Sequence, residues 1–141
     1  MSIEDDKAVA AAVVERVMNQ GDLAAVDEYY APGYVEHDDL PPAIPPGLEG
    51  IRQLFGVLRA AFPDLHYAVD DVVADGDKVV QRVTGSGTMR GPLLGLPATG
   101  RSASWSEIHI SRFDGGRVVE HWSVTDQLGM LQQLGLSAGL R

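Results

Sequence analysis

The chain has 141 residues, 45% hydrophobic and 22% charged, a composition that fits one globular domain over residues 1–141 and excludes a disordered or fibrous chain. It has no cysteine, which removes disulfides, thiolate metal sites and cysteine nucleophiles, and its longest apolar run, Ala8 to Val14, falls short of the roughly 18 residues of a membrane span, so a cytoplasmic location is expected. The net charge of −9 comes from residues 1–50, which hold eleven acids and two bases. This surface repels phosphate backbones and anionic lipid, so neither nucleic acid nor membrane is expected as a partner.

Ser2 followed by Asp5 reads as a capping box, and Val9, Val13, Val14 and Val17 recur at helical spacing until Asn19-Gln20-Gly21. Asp22 starts a second, short helix carrying Leu23, Val26 and Tyr30, which is expected to end before Ala31-Pro32-Gly33; residues 34–37 follow as a short strand. Four prolines between Asp39 and Gly50 predict an extended loop beside a cavity. Ile51, Leu54, Phe55, Leu58 and Phe62 repeat at three and four, giving a third helix that Pro63 ends. The period then changes to two. Leu65–Ala74 and Lys78–Thr88 flank Asp75-Gly76-Asp77 as a hairpin, and Ala103–Phe113 and Arg117–Val124 form another around Asp114-Gly115-Gly116. Leu128, Leu131 and Leu134 close with a short helix. Helices first and strands after them predict an α+β domain with helices on one face of an antiparallel sheet.

Trp105, Glu107, His109 and Ser111 share one face of their strand, a polar set suited to line a cavity. Glu36-His37-Asp38-Asp39 offers metal-ligand residue types, but only His37 and Asp39 are taken to share a strand face, and a facial triad needs a second histidine from elsewhere. No metal is expected. Gly85-Ser86-Gly87 lacks the third glycine of a dinucleotide fingerprint, and no P-loop, Gly-x-Ser-x-Gly or His-Glu-x-x-His motif occurs, so cofactor-free chemistry is expected. Tyr30, Tyr34, Phe55, Met89, Leu93, Leu94, Leu96, Trp105 and Trp122 are candidate walls for a flat hydrophobic ligand; each also reads as plain core.

The order of elements resembles the NTF2-like cone: a curved antiparallel sheet with the N-terminal helices on its concave face. Glu49-Gly50-Ile51, Ala61-Phe62-Pro63-Asp64, Leu94 through Arg101, Glu120-His121-Trp122 with Asp126, and Gln133-Leu134-Gly135 together resemble the SnoaL-like polyketide cyclase family, over about residues 8 to 136. That resemblance implies a homodimer, a pocket between sheet and helices that holds a hydrophobic small molecule, and a metal-free intramolecular aldol condensation. Similar folds also host isomerases, dehydratases, epoxide hydrolases and proteins without a known reaction.

On the family pattern Trp-x-x-x-Asp, Asp126 resembles the general acid/base, in line with Glu120, Trp122 and Val124; its alternative role is to cap the final helix. His109 is the candidate to hold an enolate or to orient Asp126, or else a core histidine. His37 is a candidate substrate contact or an anchor for the proline loop. Tyr34, Phe55, Met89, Trp105, Glu107 and Trp122 complete the expected binding set. Met89 stands where relatives carry a histidine. If Trp122 faces the pocket, His121 faces away from it. The expected activity is ring closure on a carbonyl compound; the alternatives are a non-catalytic binding or dimerisation module, or an epoxide hydrolase using Glu107 and Asp126, or a dehydratase.

Overall fold

The computed structural model describes residues 2–136. Ser2 accepts from the Asp5 amide at 3.0 Å while Asp5 accepts from the Ser2 amide, so the predicted capping box opens α1 (Ile3–Ala12). The helix continues as a π-helical stretch over Val13–Asn19, which turns Val13, Val14, Val17 and Met18 into the core. Asn19 stops it by bonding both backbone groups of Tyr67, at 2.7 and 3.0 Å, and Arg59 donates to the carbonyls of Met18 and Asn19.

A short α2 (Val26–Tyr29) leads into β1 (Tyr30–Glu36), which begins earlier than the sequence suggested. Ala31-Pro32-Gly33 lies inside the strand instead of breaking the chain. Proline is tolerated because β1 is an edge strand in the order β1-β5-β4-β3-β2. The proline loop is shorter than expected, because α3 starts at Gly47 and runs to Ala61 with Pro46 as its N-cap. Gly50 allows this close turn: a Cβ there would stand 2.0 Å from the Pro45 carbonyl oxygen.

The strands β2 (His66–Asp75), β3 (Lys78–Thr88), β4 (Ser102–Asp114) and β5 (Arg117–Thr125) form the two predicted hairpins within a residue or two, and α4 (Gln127–Leu134) follows. The sheet is not purely antiparallel. β1 pairs with β5 in parallel, Glu36 beside His121, because a helix-bearing connection returns the chain to the far edge. Helices cover the inner face, where Phe62, fully buried, packs 5.4 Å from the Trp105 ring and Trp105 lies against Gly85. The mixed α+β fold with a curved sheet is the NTF2-like architecture.

Candidate active site

The inner face of β4 carries Trp105, Glu107 and His109 as predicted, and Glu107 is buried. What the sequence reading inverted is β5. Phe113 pairs with Val118 but Arg112 pairs with Glu120, so Val119 is an extra residue that shifts the facing by one. Without it, the alternation set by buried Val118 would turn Trp122 inward. With it, His121 and Ser123 face the inner side, and Glu120, Trp122 and Val124 face outward.

His121 thereby completes a file of side chains across the inner face of three strands, β4, β5 and β1. Trp105 donates through Nε1 to Glu107 at 2.6 Å, and the other Glu107 oxygen lies 2.7 Å from His109 Nε2. His109 Nδ1 lies 2.8 Å from His121 Nε2, and His121 Nδ1 lies 2.8 and 2.9 Å from the two Glu36 oxygens. The Tyr34 hydroxyl donates a short hydrogen bond to Glu36. Asp38, one strand step beyond Glu36, accepts from the Ser123 amide at 2.5 Å and from the Ser123 hydroxyl, with an oxygen 3.7 Å from His121 Nδ1. Burial, then the nearby Tyr30 and Glu36, holds the Tyr34 phenol far above its ordinary range, so it stays a neutral donor. Burial beside Glu107 does the same to Tyr67.

Glu36 and Asp38 also line a cleft of about 360 Å3 with Tyr34, Val35, Leu40 and Ile44, roofed by Pro45, Pro46 and Gly47. The proline loop is thus one wall of a cavity, as the sequence suggested. Glu36 and Asp38, not His37 and Asp39, are the acidic-loop residues brought together. With His121 their ligand atoms lie within 4.8 Å of one another, a geometry open to a divalent cation as well as to a proton.

The other expected residues are placed elsewhere. Asp126 follows Val124 on the outward row, exposed, and its Oδ1 caps α4 by accepting from the Gly129 amide at 3.0 Å; it is not brought to His109. His37 stacks on Trp122, 4.7 Å between ring centroids, and pairs with Glu120 at 2.7 Å on the outer face. Hydrogen bonds from His37 and Arg112 hold Glu120 below the ordinary carboxylate range. Met89 is fully buried, and Phe55 packs against the core, so neither is among the cleft's lining residues. Leu93 is buried, whereas Leu94 is 60% exposed. Tyr34 joins both cleft and file. Glu36, Asp38 and Ser123 were missed; the Glu36/Asp38 alternation was legible, but the partners that give it meaning depend on the Val119 bulge.

Residues 8–134 match the family described as SnoaL-like polyketide cyclase. Nogalonic acid methyl ester cyclase of Streptomyces nogalater is 32% identical over 119 residues, 83% of this chain and 88% of that protein. Aklanonic acid methyl ester cyclase DnrD of Streptomyces peucetius is 33% identical over 109 residues, 77% of this chain and 72% of that protein. TsrD from Streptomyces laurentii superposes with a TM-score of 0.87 at 33% identity, covering 96% of this chain and 98% of its own. Fold, length and sequence agree, and the chain belongs to the SnoaL-like polyketide cyclase family.

Proposed function

We propose that this protein closes a ring in a hydrophobic, polyketide-like carbonyl compound by cofactor-free acid/base chemistry, in the cleft floored by Glu36 and Asp38. The observation that carries this reading is an apolar-walled cleft whose floor is two carboxylates backed by a continuous hydrogen-bonded file. Asp38 takes a proton from the carbon between two carbonyls, giving an enolate. The enolate carbon bonds to an internal carbonyl carbon, whose π pair becomes an alkoxide, and the alkoxide takes a proton back. Bonds and protons balance without redox change, so the product is an isomer of the substrate. Leu40, Ile44 and Pro45 exclude water and hold the apolar ring system.

The test uses the substrate class named in the relatives. Aklanonic or nogalonic acid methyl ester is incubated with the protein, and chromatography with mass detection follows a product of unchanged mass. Asp38→Asn is expected to retain ligand binding and lose turnover by about 10²–10⁴-fold, while Asp126→Ala keeps it. Binding without any isomeric product from these or simpler β-dicarbonyl compounds would overturn the cyclase and leave a binding module.

The same reading includes a cytoplasmic homodimer formed through the outer sheet face. Val73 and Val124, 57% and 76% exposed, lie there with Ile108, Ile110 and Trp122, and a groove holds Asp71 and Arg82 side by side. A two-fold axis there sets Asp71 of one copy against Arg82 of the other. Ile108→Glu is expected to convert a dimer to a monomer in sedimentation; a wild-type monomer rejects the dimer.

A further inference from the structure

Glu36, Asp38 and Glu107 lie on the inner face with side chains only 7–19% exposed, and among the described residues their sole ion-pair partners are the imidazoles of His109 and His121. The ion pairs of the lysines and arginines are made elsewhere. Lys7, Arg16 and Arg52 pair with acids of the helices and the loop before α2, Arg82 with Asp70, and Arg112 with Asp77 and Glu120. Carboxylates taken out of water without a compensating cation are costly, so the inner face has a charge deficit that a dication would balance. The hydrogen bonds point the same way. Glu107 accepts from His109 Nε2 at 2.7 Å, which leaves the His109 Nδ1 lone pair to accept from His121 Nε2 at 2.8 Å. The neutral His121 ring then turns a lone pair, that of Nδ1, toward the Glu36 oxygens at 2.8 and 2.9 Å and an Asp38 oxygen at 3.7 Å. Lone pairs that converge in this way call for a positive centre between them.

We infer that Glu36, Asp38 and His121 bind one divalent transition-metal cation at the floor of the cleft. Their ligand atoms lie within 4.8 Å of one another. Donors held about 2.0–2.2 Å from one ion stand about 3–3.5 Å apart, so small side-chain rotations close the site. An imidazole nitrogen beside two carboxylates favours manganese, cobalt or zinc over magnesium and calcium, which prefer oxygen alone. Each ligand is held from behind: Glu36 by the Tyr34 hydroxyl, Asp38 by the Ser123 amide and hydroxyl, and the His121 ring by His109 with Glu107 beyond it. Glu36 and Asp38 line the cleft, so the remaining positions on the ion open to water or to an oxygen of a bound molecule. The binding stands on this geometry and charge alone. Its consequence for turnover rests on the proposed ring closure: the ion takes the Asp38 oxygen that serves there as base, so ring closure is expected to slow as the cation is added and to recover with a chelator.

Cobalt(II) chloride added to the chelator-treated full chain tests the site, followed by the visible absorption of bound cobalt and by calorimetric titration. One cobalt per chain is expected, displaced by zinc and not by magnesium. Asp38→Asn and Glu36→Gln are each expected to weaken binding by more than about tenfold, and Glu107→Gln, which reaches the ion only through His109 and His121, by about tenfold. His37→Ala removes the histidine–carboxylate pair on the opposite face and is expected to leave the affinity unchanged. No bound cobalt in the wild type at millimolar concentration overturns the inference, as does binding that is lost in His37→Ala but kept in Asp38→Asn. If the cleft variants fail to fold, manganese(II) chloride added substoichiometrically to the wild type is expected to broaden the NMR signals of Tyr34, His121 and Ser123 ahead of those of His66; broadening that begins at His66 overturns the site. Turnover that persists at saturating cobalt would refute Asp38 as the base of ring closure and leave the metal site standing.

Discussion

At the scale of single residues, the cost of burying charge separates groups that look alike in the sequence. Asp6 and Asp5 are neighbours in the first turn of α1, yet Asp5 is held below its ordinary range by the Ser2 amide and hydroxyl, whereas burial raises Asp6. Asp6 Oδ1 is buried without a hydrogen-bond partner, and Asp5 and Asp77 add repulsion. A raised folded-state pKa means stability that is intact below the unfolded value of about 3.9 and lost as pH rises through the folded one. Asp6→Asn is therefore expected to melt at a higher temperature than wild type at pH 7, with the two curves converging near pH 3; calorimetry at both pH values checks this. Asp126 offers the complementary case. As the cap of α4 it is expected to cost about 1 kcal/mol on replacement by alanine, read by denaturant unfolding.

At the scale of elements, the close turn of the proline loop onto α3 sets the cleft wall. Gly50→Ala forces a methyl group into the Pro45 carbonyl, so the loop must shift outward; a loss of about 1–3 kcal/mol is expected, with weaker binding of cleft ligands, measured by unfolding and calorimetric titration. Asp64 ties the start of β2 to the end of β3 by accepting from the Thr88 amide at 2.7 Å and hydroxyl at 2.9 Å, and the amide bond lowers its pKa. That link is present above the unfolded value of about 3.9 and is lost as pH falls through the lowered one. The gap between wild type and Asp64→Asn is thus expected at pH 6 and absent near pH 2.

The same scale explains what could be read beforehand. The hairpins, α3 and the Trp105–Glu107–His109 row follow from periodicity, since each is long and regular. His121 and Trp122 were read the wrong way round because Val119 is an ordinary strand residue, and only its lack of a partner across β4 makes it a bulge. Asp126 continued that mistaken phase. Pro32 reads as a breaker until the strand containing it is known to be an edge.

At the scale of the whole molecule, the two acids of the cleft floor and the β5 residues they bond come from distant parts of the sequence. Glu36 and Asp38 meet His121 and Ser123 at a separation of 85 residues, and β1 joins the sheet only through β5. Contacts of such long range close large loops and form late. Replacing Val35, which faces Glu120's strand from the edge, is expected to speed unfolding while leaving the refolding rate nearly unchanged, as chevron kinetics would read. On the ribosome the two acids emerge early and wait while nearly the whole sheet is made. The nascent chain therefore has a floor for its cleft but neither His121 nor Ser123 behind it until β5 has left the exit tunnel.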